Sequence, residues 1–223
     1  MMARATAVVF DCDGVLVDTE PAWIAARGAL YERHARRFGA QDERRTLGTG
    51  VAGTGMTLAK LLGEPQRASA LGGELLELLL DAVAMVAPRP LPGARELLER
   101  LRGRLPVAVA SNSPRALLSQ TLARSGLEGL FDIVLGADEV PNPKPAADLY
   151  ATAVERLGSQ PATSVAVEDS PAGIASARAA GLIVIGIRSR RDVSLEADEI
   201  AAGLDDPRFG DWLDGHHLPE GCI

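Results

Sequence analysis

Two aspartates one residue apart, Asp11 and Asp13, followed at once by Gly14, stand at the end of four apolar residues, Ala7, Val8, Val9 and Phe10. That run has no helical periodicity and reads as a buried strand of a parallel sheet. In extended backbone, residues two apart project to the same side, so both carboxylates can face one small volume while Gly14 lets the chain turn away. Ligands of open α/β sheets bind at this carboxyl edge. Three later segments deliver further polar groups. Ser111 and Asn112 follow PVAVA, where a hydroxyl and the backbone N–H groups of a helix start can hold a phosphate oxygen. Lys144, held between Pro143 and Pro145, offers its ammonium from a stiff turn as a point charge suited to phosphate. Glu168 and Asp169 end SVAV as a second acidic pair. Taken singly, each has a plainer reading: an Asp-Gly turn, a helix cap, a solvated lysine, another cap.

The elements that must position these groups are read from periodicity and punctuation. Thr19, Glu20 and Pro21 open a helix expected to run to about Arg37 and stop at Gly39. Trp23, Ala26, Leu30, Tyr31, His34 and Phe38 share one face, read as packing, with His34 a core or surface residue. GTGVAGTG over residues 48–55 is glycine-rich, but no apolar strand precedes it, so a dinucleotide fingerprint is set aside for a flexible, substrate-facing loop. Helices are expected over 56–62 and 65–86, then a stiff linker at Pro88, Pro90, Pro92 and Gly93. Beyond it helix and strand alternate. Helices fall at 94–102, 114–124 (capped by Ser113), 146–157 and 171–180 (capped by Ser170). Strands fall at 106–110, 131–135, 164–167 and 183–187. Such alternation means an α/β fold with a parallel, doubly wound sheet.

Composition bounds the partners. A net charge of −7 argues against a nucleic-acid surface, which needs clustered Lys and Arg. No apolar run approaches the roughly 20 residues that span a bilayer, and no secretory signal is read at the start, so a cytoplasmic protein is expected. Cys12 and Cys222 give neither a disulfide framework nor a metal spacing, and Cys12 is expected to pack beneath the aspartates. The tail carries Trp212, His216, His217 and Cys222 at no standard metal spacing and reads as an ordinary terminus.

Together, DxDGVLVDTE after an apolar strand, SNS, KP and VEDS resemble the four motifs of the haloacid dehalogenase (HAD) superfamily, in the family's order. The resemblance extends over essentially the whole chain and is closest to the helical-cap phosphatases and β-phosphoglucomutase-like proteins. It implies a Rossmann-like core of residues 1–18 and 89–223 with a helical cap inserted at 19–88. Four carboxylates on one sheet edge repel one another unless a cation neutralises them, and Mg²⁺ suits such hard oxygen ligands. By resemblance, Asp11, Asp169 and the main-chain carbonyl of Asp13 ligate the metal, with Glu168 acting through a water. Asp11 is then the nucleophile that forms an aspartyl-phosphate, and Asp13 the acid and later the base. Ser111, Asn112 and Lys144 stabilise the transferring oxygens. The cap is expected to close over the sheet edge, with Thr46, Gly48, Thr49 and Gly50 facing substrate and Arg44, Arg45 and Lys60 as weaker candidates.

The expected activity is Mg²⁺-dependent hydrolysis of a small phosphomonoester, a sugar phosphate or a phosphoglycolate-like acid. The expected partner is thus a small phosphorylated metabolite, with no nucleic acid and no membrane, for a monomer or homodimer. A β-phosphoglucomutase-like isomerase is the first alternative. Such members carry a cap histidine where this chain has Trp23 and a cap arginine in the glycine-containing loop, whereas no arginine lies between Thr46 and Ala59. Asp13 argues against dehalogenation, since those relatives lack the second aspartate. A non-catalytic phosphometabolite-binding protein is disfavoured by the intact set Asp11, Asp13, Ser111, Lys144 and Asp169.

Overall fold

Strand β1, Ala7–Phe10, is buried at every position because strands pair with it on both sides and helices cover both its faces. The computed structural model describes residues 5–46, 49–189, 193–207 and 209. Its central sheet contains β1, β4 (Val107–Ala110), β5 (Ile133–Leu135), β6 (Ser164–Glu168), β7 (Ile183–Ile187) and β8 (Glu199–Ala201). They lie in the order β5-β4-β1-β6-β7-β8, all parallel. Chain direction across the sheet reverses at β1, and a crevice forms at such a switch point.

Period-two alternation sorts the strand residues between two apolar layers. Val8 and Phe10 pack with Leu98 and Leu101 of α5 (Ala94–Leu101) and with Leu118 and Leu122 of α6 (Arg115–Arg124). Val9 packs on the other side with Leu149, Tyr150 and Ala153 of α7 (Asp148–Arg156) and with Ile174 and Ala177 of α8 (Pro171–Ala179). Cys12 is buried in the first layer, as expected, and burial pushes its thiol well up, which suits packing rather than redox work.

Between the short antiparallel strands β2 (Val17–Asp18) and β3 (Arg89–Pro90) the chain forms a layer of four helices. These are α1 (Glu20–Arg33), α2 (Ala40–Thr46), α3 (Gly50–Leu62) and α4 (Ala68–Met85). They share a separate apolar cluster, including Leu30, Leu58, Leu71, Leu75 and Leu79, which reaches Leu117 of α6. No helix among the described residues is long and apolar enough to cross a membrane.

Several expectations need correction. Helix α1 ends at Arg33 rather than near Arg37, because Ala35 takes a left-handed φ of 54°. Phe38 then returns edge-on to Tyr31, ring centroids 5.1 Å apart. Residues 50–55 are not a flexible loop: they begin α3, and α2 precedes them. Gly55 serves helix contact, for a Cβ on it would lie 2.5 Å from the Ala68 carbonyl oxygen and 2.7 Å from the Gly72 nitrogen. Ser113 does not cap α6, whose N-cap is Pro114. Strands β2, β3 and β8 were too short to expect. Gly48 and the tail residues Trp212, His216, His217 and Cys222 lie outside the described residues.

Candidate active site

Register brings the first acidic pair to the second. Phe10 sits opposite Val167 and Val109, so Asp11 leaves β1 beside Glu168 of β6 and beside the end of β4. The Asp11 N–H donates to the Val167 carbonyl at 2.9 Å, which extends the ladder one residue into the site. Gly14 then turns with φ 84°, and a Cβ there would lie 2.2 Å from Asp169 Oδ2. A side chain at position 14 would therefore displace the Asp169 carboxylate.

Lys144 joins the pairs. Its ammonium donates to Asp11 Oδ1 and Glu168 Oε1, each at 2.6 Å, and lies 4.9 Å over the Tyr150 ring. The turn carrying Lys144 is pinned by Asn112, whose Oδ1 accepts from the Lys144 N–H at 2.9 Å and whose Nδ2 donates to the Lys144 carbonyl at 3.1 Å. Burial by itself would lower the lysine, but the Asp11 and Glu168 carboxylates overcome it and hold the ammonium above its ordinary value.

Glu168 is wholly buried and both of its oxygens are engaged. Beside Lys144, Oε1 accepts from the Tyr150 hydroxyl at 2.9 Å. Oε2 accepts from the N–H groups of Asp169 and Ser170 at 3.1 and 3.2 Å and from Ser170 Oγ at 3.0 Å. Ser170 also caps α8 as expected, accepting from the Gly173 N–H at 3.0 Å. Burial pushes Tyr150 well up, so it stays a neutral donor.

Asp13 occupies a different environment. Its Oδ2 accepts from Ser111 Oγ at 3.1 Å and Ser113 Oγ at 3.0 Å. Its Oδ1 accepts from Thr19 Oγ1 at 2.6 Å and from the Trp23 indole N–H at 3.4 Å. One carboxylate thus rests on a buried ammonium and the other on hydroxyls and an indole.

The balance of charge is negative. Burial raises Asp11 well above the usual carboxylate range; Lys144 opposes the rise, while Glu168, Asp169 and Asp13 add to it. Burial and then Glu168 raise Asp169 to about 7, against a 2.8 Å hydrogen bond from Ser189 Oγ. One carboxylate oxygen each from Asp11, Glu168 and Asp169 lie within 4.8 Å of one another. Oxygen donors so close, with too few cations to balance them, fit a divalent metal. Asp11 and Asp169 are the better-placed ligands, since Glu168 already spends both oxygens on protein donors.

Sequence reading therefore named Asp11, Asp13, Ser111, Asn112, Lys144, Glu168 and Asp169, and all seven lie at this edge. The other candidates lie in the helical layer. Thr46 is fully buried, its hydroxyl turned back to the Asp42 carbonyl at 2.9 Å. Thr49 Oγ1 donates to the Thr46 carbonyl at 2.8 Å. Gly50 comes close to the sheet edge, for a Cβ there would lie 3.1 Å from the Asn112 carbonyl oxygen. The sequence reading places Thr19 at a helix start, Trp23 on a packing face where mutases carry a histidine, and Ser113 at a cap, and does not single out Tyr150; none is named as a partner of Asp13 or Glu168. Ser113 carries a usable signal as the second hydroxyl of SNS, and Trp23 carries one in its position where mutases have a histidine.

The model of the haloacid dehalogenase-like hydrolases matches residues 5–181. Fructose-1-phosphate phosphatase YqaB of Escherichia coli K12 is 32% identical over 192 residues, 84% of this chain and 99% of that one. Validoxylamine A 7'-phosphate phosphatase of Streptomyces hygroscopicus subsp. limoneus is 30% identical over 217 residues, 90% of this chain and 95% of that one. The fold is shared with CbbY from Rhodobacter sphaeroides in complex with phosphate, at TM-score 0.78 and 24% identity over 91% of this chain and 96% of that one. It is also shared with β-phosphoglucomutase from Clostridium difficile, at TM-score 0.81 and 17% identity over 95% of this chain and 97% of that one. The chain belongs to the haloacid dehalogenase-like hydrolase family and is an enzyme of its phosphoric monoester hydrolase class.

Proposed function

We propose that the enzyme hydrolyses a small phosphomonoester, a sugar phosphate or a phosphoglycolate-like acid, through an aspartyl-phosphate on Asp11. The observation that carries this reading is the contrast between Asp11, against the Lys144 ammonium at 2.6 Å, and Asp13, held by Ser111, Ser113, Thr19 and Trp23. In the first step an Asp11 oxygen attacks phosphorus, the bond to the leaving oxygen breaks, and Asp13 protonates that oxygen. In the second, Asp13 takes a proton from water as the water oxygen attacks phosphorus, and the bond from phosphorus to the Asp11 oxygen breaks, which releases phosphate and regenerates Asp11. Lys144, Ser111 and the backbone N–H groups that follow it stabilise charge on the transferring oxygens, while the Asn112 side chain steadies the lysine turn.

Asp11, Asp169 and the main-chain carbonyl of Asp13 would hold Mg²⁺, with Glu168 behind them. When bound, the ion supplies positive charge that offsets repulsion between the carboxylate and the phosphoryl oxygens. Residues 19–88 act as a cap over a core of 1–18 and 89–223. Their separate apolar cluster and the β2–β3 pair at their base support that division. Thr49 and Gly50, where α3 begins, are the cap residues that face the leaving group, Gly50 lying against the Asn112 carbonyl. Trp23 cannot carry a proton as histidine would, which favours hydrolysis over isomerisation. The enzyme is cytoplasmic and works on a diffusible metabolite as a monomer or homodimer.

The test is phosphate release from a panel of sugar phosphates, phosphoglycolate and nucleoside monophosphates, with Mg²⁺ and with a chelator. Release from at least one sugar phosphate or from phosphoglycolate, abolished by the chelator, is expected. Chelator-insensitive release would overturn the metal assignment, and no release at all would overturn the reaction.

A further inference from the structure

Helix α1 carries a buried cation that the protein leaves under-neutralised. Arg27 is 6% exposed, yet none of the ion pairs among the described residues includes it. Its Nη2 donates to the Thr46 carbonyl at 3.0 Å, and its guanidinium lies 4.7 Å over the Trp23 ring. Its Nε is buried with no hydrogen-bond partner. Burial pulls the group down to about 10, with Glu43 and Asp13 the strongest of the opposing charges. A buried donor left without an acceptor is costly, and a buried charge more so, unless something supplies the acceptor.

The position of Arg27 says what that acceptor is part of. Trp23, one turn earlier on α1, reaches Asp13 Oδ1 with its indole N–H. Asp13 is the carboxyl that protonates the leaving oxygen, so the alcohol departs on the side where Trp23 and Arg27 stand. Tyr31 OH and Thr54 Oγ1 are also buried without partners. Tyr31 is one turn beyond Arg27, and Thr54 one turn beyond Gly50, whose Cα abuts the Asn112 carbonyl. All three partnerless atoms therefore belong to α1 and α3, the helices that approach the sheet edge at Trp23 and Gly50. A guanidinium's planar fork matches a carboxylate or a phosphate better than it matches a neutral hydroxyl.

We propose that Arg27 selects the leaving group, favouring phosphomonoesters whose alcohol carries a second anion, a carboxylate or another phosphate. This rests on the hydrolase reading above and narrows its substrate class. Arg27 is a substrate-binding residue in this role, and its bond to Thr46 fixes the guanidinium against the end of α2.

Two matched pairs test it: 3-phosphoglycerate against glycerol 3-phosphate, and fructose 1,6-bisphosphate against fructose 1-phosphate, with p-nitrophenyl phosphate as a reference ester. The parent enzyme is expected to prefer the anion-bearing member of at least one pair by about tenfold or more in kcat/KM. Which pair shows the preference tells carboxylate from phosphate. Arg27→Met is expected to collapse that ratio to within about threefold, and Arg27→Lys, which keeps the charge but loses the planar fork, to retain only part of it. A purely structural arginine would lower both members of a pair alike and leave the ratio unmoved, which would overturn the proposal. Equal rates on both members by the parent enzyme would overturn it without any variant, should Arg27→Met fail to fold. Phosphate release from the reference ester without preference leaves hydrolysis standing and sinks only the role of Arg27; no release from any ester sinks both.

Discussion

Replacing Lys144 by methionine keeps most of the side chain's reach and deletes its charge where Asp11 Oδ1 and Glu168 Oε1 each lie 2.6 Å from the ammonium. Both carboxylates are buried, Glu168 completely. Removing one partner of a buried ion pair costs about 3–5 kcal/mol, since the charge left behind has neither water nor a counter-ion. Tyr150, Ser170 and two backbone N–H groups still bind Glu168, which points to the lower end. For a chain of this size each kcal/mol moves Tm by roughly 2–4 °C, so a fall of about 6–12 °C is expected. The variant also acquires a pH signature. Without Lys144, the cation that opposes the rise, buried Asp11 binds a proton still more tightly folded than unfolded. That stabilises the fold below the unfolded carboxylate range and is lost as pH rises through the raised folded value. The deficit should therefore be smaller at pH 5 than at pH 8. Thermal unfolding followed by circular dichroism, in chelator so that no metal compensates, reads both effects. Lys144→Met/Glu168→Gln, which removes the cation and one anion together, should recover much of the loss. A Tm within about 2 °C of the parent at both pH values, with no recovery in the double variant, would refute the reasoning.

Asp11→Asn should lower turnover by roughly three orders of magnitude or more while the thermal transition stays cooperative, and retention of most activity would remove Asp11 from the nucleophile's role. Gly173→Ala would bring a Cβ to 1.8 Å from Glu168 Oε1, a carboxylate hemmed in by Lys144, Tyr150 and Ser170. A loss on the order of 2 kcal/mol in urea unfolding is expected, and an unchanged midpoint would contradict the packing. In the metal-free protein, burial and Glu168 raise Asp169 to about 7, so its ionisation works against folding as pH rises from the unfolded carboxylate range through that value. Mg²⁺ should accordingly raise Tm more at pH 8 than at pH 5, as read by calorimetry; an equal rise at both would contradict it.

Five of the six strands of the sheet were legible because each is a short apolar run, and because the site's polar groups follow the strand ends directly. Asp11, Ser111 and Glu168 could be named for that reason. β2, β3 and β8 (VD, RP and EIA) are two or three residues long and lack a continuous apolar run such as IVL of β5, so nothing in them registers as a strand. The glycines of α3 were misread because glycine in sequence signals flexibility, whereas Gly55 and Gly72 serve a close helix contact that only the fold reveals. Ser113 reads as a cap until Asp13, a hundred residues earlier, is seen to take its hydroxyl. Arg27 and Tyr150 lie within apolar helix faces, and nothing local distinguishes a buried guanidinium or phenol with a task from one that merely packs.

The most direct measurement is mass spectrometry of the enzyme quenched in acid within one turnover of a phosphomonoester substrate in Mg²⁺. One added phosphoryl group on the peptide that contains Asp11, absent from Asp11→Asn, is the expected result. Steady phosphate release with no such adduct at the earliest quench times, and with the Asp11→Asn protein equally active, would contradict it.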